Sequence, residues 1–499
     1  MRAITSGLLA LFTTTLGIAC GAPPPVGTGG AGGVGGTGPG PGPQTGPDGC
    51  GQSHARNLSI REVAAYQTLK IPIVTPQRVI EPGTRVADVI ERRDTLFRVF
   101  VDLQGGWSAR TLSARVTLTS GGVTQQYYEK KNVVVGSSDG DLNSTFQIPV
   151  PADRVLSDAR YSVEVVECGE VGGSSSTPRL PAFGDAALGA RRTGPLKVRI
   201  VPIVANSRQP DTSANALTPY RELLRAMYPV NSVEMTVVAS VSTAYPLNWS
   251  GMLDQIRARR QSDGAPADVY YYGLVKPTDT ISQYCGGGCV AGIGYVPSSA
   301  TQASVRASVG LGFGDNTSAS TMAHEIGHNH GRGHAPCAPG GISGVDAFYP
   351  HPGALIGTWG FDPRNRALFD PSRTTDIMGY CNNKWISDYT YKGLTERVAT
   401  VNSALALVED PELVLGWQVM LIEPPASRWG IAFETPASPF GEPEAAEALD
   451  ESGNVVERIT VYRTEMSDIG AFTVLVPPAR SGWHAVRVNG AAPLAFSRP

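Results

Sequence analysis

Beyond its N-terminus, this 499-residue chain has no run approaching about 18 uncharged apolar residues, so no other segment is expected to cross a bilayer. It also lacks a block of one charge. With 41 Lys plus Arg against 44 Asp plus Glu, it has neither the basic patch of a nucleic-acid binder nor the acidic tail of a charged docking segment. Histidine is scarce: seven occur, and four of them fall between positions 324 and 334. Cysteine also numbers only seven. Glycine and proline are abundant, but partly concentrated near the start, which leaves the remainder an ordinary loop-rich globular protein.

What is present begins with an export signal. Arg2 precedes an apolar stretch from about Leu8 to Ile18, followed by Ala19-Cys20. The stretch is too short to span a bilayer as a lasting helix. A small residue before Cys20 resembles a bacterial lipoprotein cleavage site, although Gly17 stands where the usual Leu would. Two expectations stay open: a lipid on Cys20 that anchors the chain in the bacterial cell envelope, at the outer membrane or cell surface, or free secretion. The segment after Cys20 is almost all Gly, Pro, Thr, Val and Ala, and suits a tether better than a core. Residues 1–20 are therefore read as signal peptide and 21–52 as tether.

The length leaves room for about three domains. Residues 53–192 read as all-β. Leu112, Ala114, Val116 and Leu118 alternate with polar residues, Gly121-Gly122 marks a turn, and 146–148 and 161–166 repeat the pattern. A β-sandwich acting as an accessory domain is expected. Across 193–410 strands and helices alternate. Strands are expected at 196–204, 233–240 and 269–275. A helix is expected from Thr218 as N-cap with Pro219 in its first turn, and another at 249–260. That βαβαβ order predicts a twisted, mostly parallel sheet. Two more helices are expected, at 318–329 with Ser318 or Thr317 as N-cap, and at 390–408. Residues 411–499 return to a β pattern and predict a second small sandwich. Its turn Asp450-Glu451-Ser452-Gly453-Asn454 is acidic enough to raise calcium as a ligand. It lacks the ligand-dense spacing of a calcium loop, so a hairpin is expected.

The chemistry concentrates in His324-Glu325-Ile326-Gly327-His328-Asn329-His330-Gly331-Arg332-Gly333-His334. On a helix His324 and His328 lie one turn apart on the same face, so two imidazoles can reach one metal ion. Glu325 follows the first of them and is placed to act as general base toward water. Gly331 lets the backbone leave the helix with positive φ, and the turn brings His334 round as a third ligand. Three protein nitrogens and one open position describe a catalytic zinc, whereas a structural zinc is closed by four ligands. From this composition the five fixed residues would coincide by accident with a probability on the order of 10⁻⁵. His330 is expected to be a polar surface residue on another helix face, and His351 a spare ligand at most.

Downstream lies Thr375-Asp376-Ile377-Met378-Gly379-Tyr380-Cys381. With the zinc helix it resembles the metzincin metalloendopeptidases, which place a methionine turn beneath the three histidines. Met378 is the matching methionine. Tyr380 matches the tyrosine that astacin-like and serralysin-like members hold near zinc, and the resemblance implies that it stabilises the tetrahedral intermediate. The residue after the third histidine is Ala335, which matches none of the familiar subfamily residues at that point. The segment 385–391, with 65–69 and 93–100, looks more like bacterial secreted metzincins related to mucin-cleaving proteases. The short Gly-rich strand 292–296 resembles the metzincin edge strand, along which an extended substrate would bind by strand addition.

Six cysteines besides Cys20 suggest disulfides in an exported chain, with fifteen pairings open in principle. The expected pairs are Cys50–Cys168, Cys285–Cys289 and Cys337–Cys381; the last follows from the metzincin arrangement, in which both segments pass close to the metal. Gly49-Cys50-Gly51 invites comparison with a latency cysteine, but its flanks do not match one, and a disulfide is expected instead.

The expectation is thus a multidomain chain: an α/β metzincin catalytic domain between two β-sandwich domains. It would hold one Zn²⁺ and hydrolyse protein or glycoprotein substrates at the cell surface. The alternative is a non-catalytic adhesin or glycan-binding surface lipoprotein on a metzincin fold. Glu325 speaks against it, because a binder needs no general base.

Overall fold

The computed structural model describes residues 46–169, 177–337, 343–403, 416–434, 437 and 439–496. The expected signal peptide, Cys20 and most of the tether lie outside the described residues, as does the end of the expected helix at 404–408.

Two antiparallel sheets fill the N-terminal part. One has the order Lys70–Val74, Leu58–Tyr66, Thr95–Leu103, Phe146–Val150. The other runs Val123–Val133, Arg110–Ser120, Arg160–Glu167, Arg179–Leu180. Alternate residues of both, such as Val63, Phe97, Val116 and Tyr161, share one buried cluster. Cys50 is bonded to Cys168, which removes it as a latency thiolate. Thr68 ties these sheets to distant parts of the chain. Its hydroxyl donates to Ala226 O at 2.7 Å, and its carbonyl accepts from the Trp385 indole at 3.0 Å.

The central sheet contains Leu196–Val204 (β1), Val233–Val237 (β2), Val269–Val275 (β3), Gly292–Val296 (β4) and Ala307–Leu311 (β5) in the order β2-β1-β3-β5-β4. The first four in that order are parallel, and β4 runs antiparallel to β5. Helices Thr218–Met227 (α1), Trp249–Ser262 (α2), Asn316–Asn329 (α3) and Asp388–Val401 (α4) complete it. Some ends differ from expectation. Leu217 precedes α1, and Thr218 is already helical, its hydroxyl donating to Ala214 O. Asp315, not Ser318 or Thr317, caps α3: its carboxylate accepts from Ser318 N at 2.7 Å. Ser318 instead uses its hydroxyl to accept from Phe313 N. Strand β5 has no counterpart among the expected strands.

The C-terminal strands Gln418–Glu423 (β6), Glu442–Leu449 (β7), Val455–Met466 (β8) and Phe472–Val476 (β9) pair antiparallel in the order β6-β9-β8-β7. The acidic turn Asp450–Asn454 is the β7–β8 hairpin; the Asp450 carboxylate accepts from the Ser452 and Asn454 amides. The expectation that β4 is an open edge needs correction. Strand β8 pairs with it, Tyr295 opposite Met466 and Val296 opposite Glu465, so the central and C-terminal strands form one continuous sheet. Trp249, Ile256 and Tyr295 share a buried cluster with Trp417, Leu421 and Leu475, which holds the two parts together. Arg257 adds a cation–π contact 4.6 Å from the Phe433 ring. Among the described residues no helix is long and apolar enough to cross a membrane.

Candidate active site

Helix α3 turns Ala319, Met322, Ala323 and Ile326 into the core at helical spacing, Met322 and Ile326 each contributing about 1.5–3 kcal/mol. That fixes the helix's rotation and hence the direction of His324, Glu325 and His328. The helix stops at Gly331, with φ of 76°. There Arg332 N donates to Gly327 O and Gly331 N to His328 O, a Schellman closure that needs the left-handed residue. The chain then bends back. His334 N donates to Gly344 O, Asp346 N donates to His334 O, and Ala335 N donates to Met378 O at 3.1 Å.

The three histidines meet. His328 Nε2 lies 3.0 Å from His324 Nε2 and 3.1 Å from His334 Nε2. Each opposite nitrogen, Nδ1, faces a backbone carbonyl: Ile377 O at 2.8 Å, Arg332 O at 2.7 Å and Ser343 O at 2.6 Å respectively for His324, His328 and His334. A carbonyl can only accept, so each Nδ1 carries the proton and each Nε2 presents a lone pair to the other two. Three converging lone pairs repel one another unless a cation lies between them. A tetrahedral zinc holds its nitrogens about 3.3–3.4 Å apart, so this donor set fits the ion with a small expansion. Burial, with the neighbouring histidine adding to it, lowers the His324 pKa to about 3 and holds that of His328 well below its ordinary value.

Met378 lies beneath α3. A Cβ on Gly327 would stand 2.5 Å from its sulfur, so only glycine allows this approach. The turn is built by Asp376, whose buried carboxylate accepts from Met378 N at 2.7 Å and Ser387 N at 2.8 Å. Tyr380 follows, its hydroxyl 3.2 Å from His334 Nε2 and its amide donating to Cys337 O. Cys337 and Cys381 are bonded, as are Cys285 and Cys289.

Glu325 is 2% exposed. Burial first, and then the nearby Asp468 carboxylate, push its pKa well above the ordinary carboxylate range, while a hydrogen bond from Ser467 opposes the rise. A cation at the histidine cluster would oppose it further. Beside the site runs a cleft of about 1050 Å³, lined by Gly292, Thr321, Glu325, Tyr380 and Lys384 among others. None of its lining comes from the N-terminal sheets.

Three features were missed from sequence. Asp468 stands in the place expected to be open: its carboxylate oxygens are 3.6 to 3.9 Å from the three Nε2 atoms. Ser467 donates to Glu325 Oε2 at 3.1 Å. His330, expected on the surface, is buried, stacked on Tyr270 with ring centroids 4.6 Å apart, and donates from Nδ1 to Ile326 O at 2.7 Å. His351 is not part of the group formed by His324, His328, His334 and Asp468; its Nε2 lies 2.6 Å from an Asp388 carboxylate oxygen.

Burial also lowers the His330 pKa to about 3, against an ordinary value of 6.5. A depressed histidine contributes stability that is fully present above its unfolded pKa and is lost as pH falls toward the folded one. At pH 5 the loss from this residue should be about 2 kcal/mol. Urea midpoints of wild type and His330→Phe at pH 7.5 and pH 5 test this. The wild type should weaken more steeply, and parallel pH profiles would contradict it.

A family model described as Peptidase M66 matches residues 303–404, and one described as metallo-peptidase family M12B, reprolysin-like, matches residues 199–335. The first spans α3, the methionine turn and α4, and the second spans the central sheet up to the third histidine. Both describe metallopeptidases, and together they support a metzincin-like zinc metallopeptidase. No curated protein matches the chain.

Proposed function

We propose that this chain is a zinc-dependent endopeptidase of the metzincin type. Its catalytic domain would span 193–410, between a β-sandwich accessory domain at 53–192 and a C-terminal β domain at 411–499. It would act on proteins or glycoproteins outside the cell, either as an envelope lipoprotein anchored through Cys20 or as a secreted enzyme. The observation that carries this reading is the meeting of three Nε2 lone pairs beside a buried glutamate at the wall of a cleft.

His324, His328 and His334 would hold the ion, each oriented by its Nδ1–H bond to a backbone carbonyl. When bound, zinc would supply Lewis acidity to the scissile carbonyl and lower the pKa of water toward neutrality. Glu325 takes a proton from the attacking water and passes it to the leaving amine. The Tyr380 hydroxyl donates to the oxyanion of the tetrahedral intermediate. The substrate lies in the cleft beside Ala291 and Gly292. Incubation with a panel of proteins and glycoproteins, followed by mapping of cleavage sites, tests the reading. Cleavage should stop on chelation and return with zinc; no cleavage of any panel member by zinc-loaded protein, with Asp468 either intact or replaced by alanine, would count against it.

Tyr380→Phe keeps the ring's contacts with the histidines and removes only the hydroxyl. It should lower kcat by about 10²–10³-fold, with KM nearly unchanged, as loss of one oxyanion donor does. An unchanged kcat would make Tyr380 a packing residue.

A further inference from the structure

The C-terminal strands put a turn into this site. Strand β8 runs antiparallel to β4 through Glu465 and Met466, as an added strand would. Ser467 continues the pairing: its amide donates to Gly294 O at 2.9 Å, and its hydroxyl accepts from Gly294 N at 2.8 Å. The same hydroxyl donates to Glu325 Oε2, so the proposed base is already engaged. Asp468 comes next, at φ of 68°, in the left-handed region that glycine adopts most freely.

Its carboxylate is aimed at the histidines. Oδ1 is 3.6 Å from His334 Nε2 and 3.9 Å from His324 Nε2, and Oδ2 is 3.8 Å from His328 Nε2. Ligand atoms on one tetrahedral zinc lie about 3.3–3.4 Å apart, so small shifts bring all four onto a single ion. Asp468 Oδ2 is buried and has no hydrogen-bond partner. An unsatisfied carboxylate oxygen beside the Glu325 carboxylate is costly to bury, unless a cation satisfies it.

We propose that Asp468 is a fourth ligand of the zinc, and that the turn Ser467–Gly470 keeps the enzyme latent. The carboxylate takes the coordination position that water and substrate carbonyl need. Ser467 occupies the base, and β8 covers the edge against which a substrate would pair. Activity requires the turn to withdraw. The body of the C-terminal sheet can remain in place, held by Trp417, Leu421 and Leu475 in the cluster with Trp249, while Ile469 of the turn leaves its contact with that cluster. The inference rests on the reading of the three histidines as a zinc site.

The test compares wild type with Asp468→Ala and Asp468→Gly; glycine adopts the same φ without strain and guards against misfolding. Zinc affinity is measured by chelator competition, and access to the metal by the dissociation constant of acetohydroxamate. Both variants should hold zinc about ten-fold or more weakly, as loss of one ligand requires. They should bind acetohydroxamate about ten-fold or more tightly, because the competent fraction rises. Peptide hydrolysis should rise in parallel. Equal zinc and acetohydroxamate affinities in all three proteins would overturn the latency proposal while leaving the zinc site intact. A wild type that binds no zinc would overturn the zinc site itself, and the latency proposal with it.

Discussion

Glu325→Ala should lower the hydrolysis rate by about 10²–10⁴-fold, the usual contribution of a positioned general base, and leave zinc content unchanged. Glu325 contributes no ligand atom to the group of His324, His328, His334 and Asp468, so metal retention does not depend on it. Nor should the fold suffer. The carboxylate is buried close to the Asp468 carboxylate, and its removal relieves repulsion between like charges. Glu325→Gln keeps the shape and the Ser467 contact without the base, and should be as inactive as the alanine variant. Turnover and zinc content of the three proteins decide the point. Equal turnover by wild type and either variant would remove Glu325 from the mechanism.

Replacing Cys337 and Cys381 together by serine should destabilise the protein by about 4 kcal/mol, the chain-entropy value for a loop of this length. The bond spans a sequence separation of 44. It joins the segment after the third histidine to the residue after Tyr380. Beside it Tyr380 N donates to Cys337 O at 2.8 Å, and Ala335 N donates to Met378 O. Loss of the bond should therefore loosen His334 against the methionine turn. A lower urea midpoint and faster zinc loss to a chelator are both expected. A midpoint equal to that of the wild type would show that the backbone bonds alone hold this corner.

The parts of the site that were legible in sequence are those written locally. Two histidines one helical turn apart, a glutamate between them and a glycine at the helix end state their geometry within a few residues. Met378 and Tyr380 needed the family resemblance, because a lone methionine carries no signal of its own. Asp468 was not legible: Met466-Ser467-Asp468-Ile469-Gly470 reads as an ordinary hairpin turn, and only the pairing of β8 with β4 brings it to the histidines. That long-range pairing is also why β4 reads as a free edge from its own residues. Strand β5, Ala-Ser-Val-Gly-Leu, is buried at every position and has no alternation to betray it. His330 was misplaced because its spacing from His328 gives the helix face but not what covers it; Tyr228 and Tyr270 do. Asp376 stood in view within the methionine turn, but two backbone acceptances by one buried carboxylate are invisible before folding.

The mechanism requires that His324, His328 and His334 hold one catalytic zinc. The most direct measurement is zinc bound per chain, taken with the hydrolysis rate of the same samples, for wild type and His334→Ala after stripping and reloading. The wild type should regain one zinc and its activity together, and His334→Ala should regain neither. Hydrolysis that persists in the stripped wild type, or zinc held equally well by His334→Ala, would rule out a catalytic zinc on these three histidines.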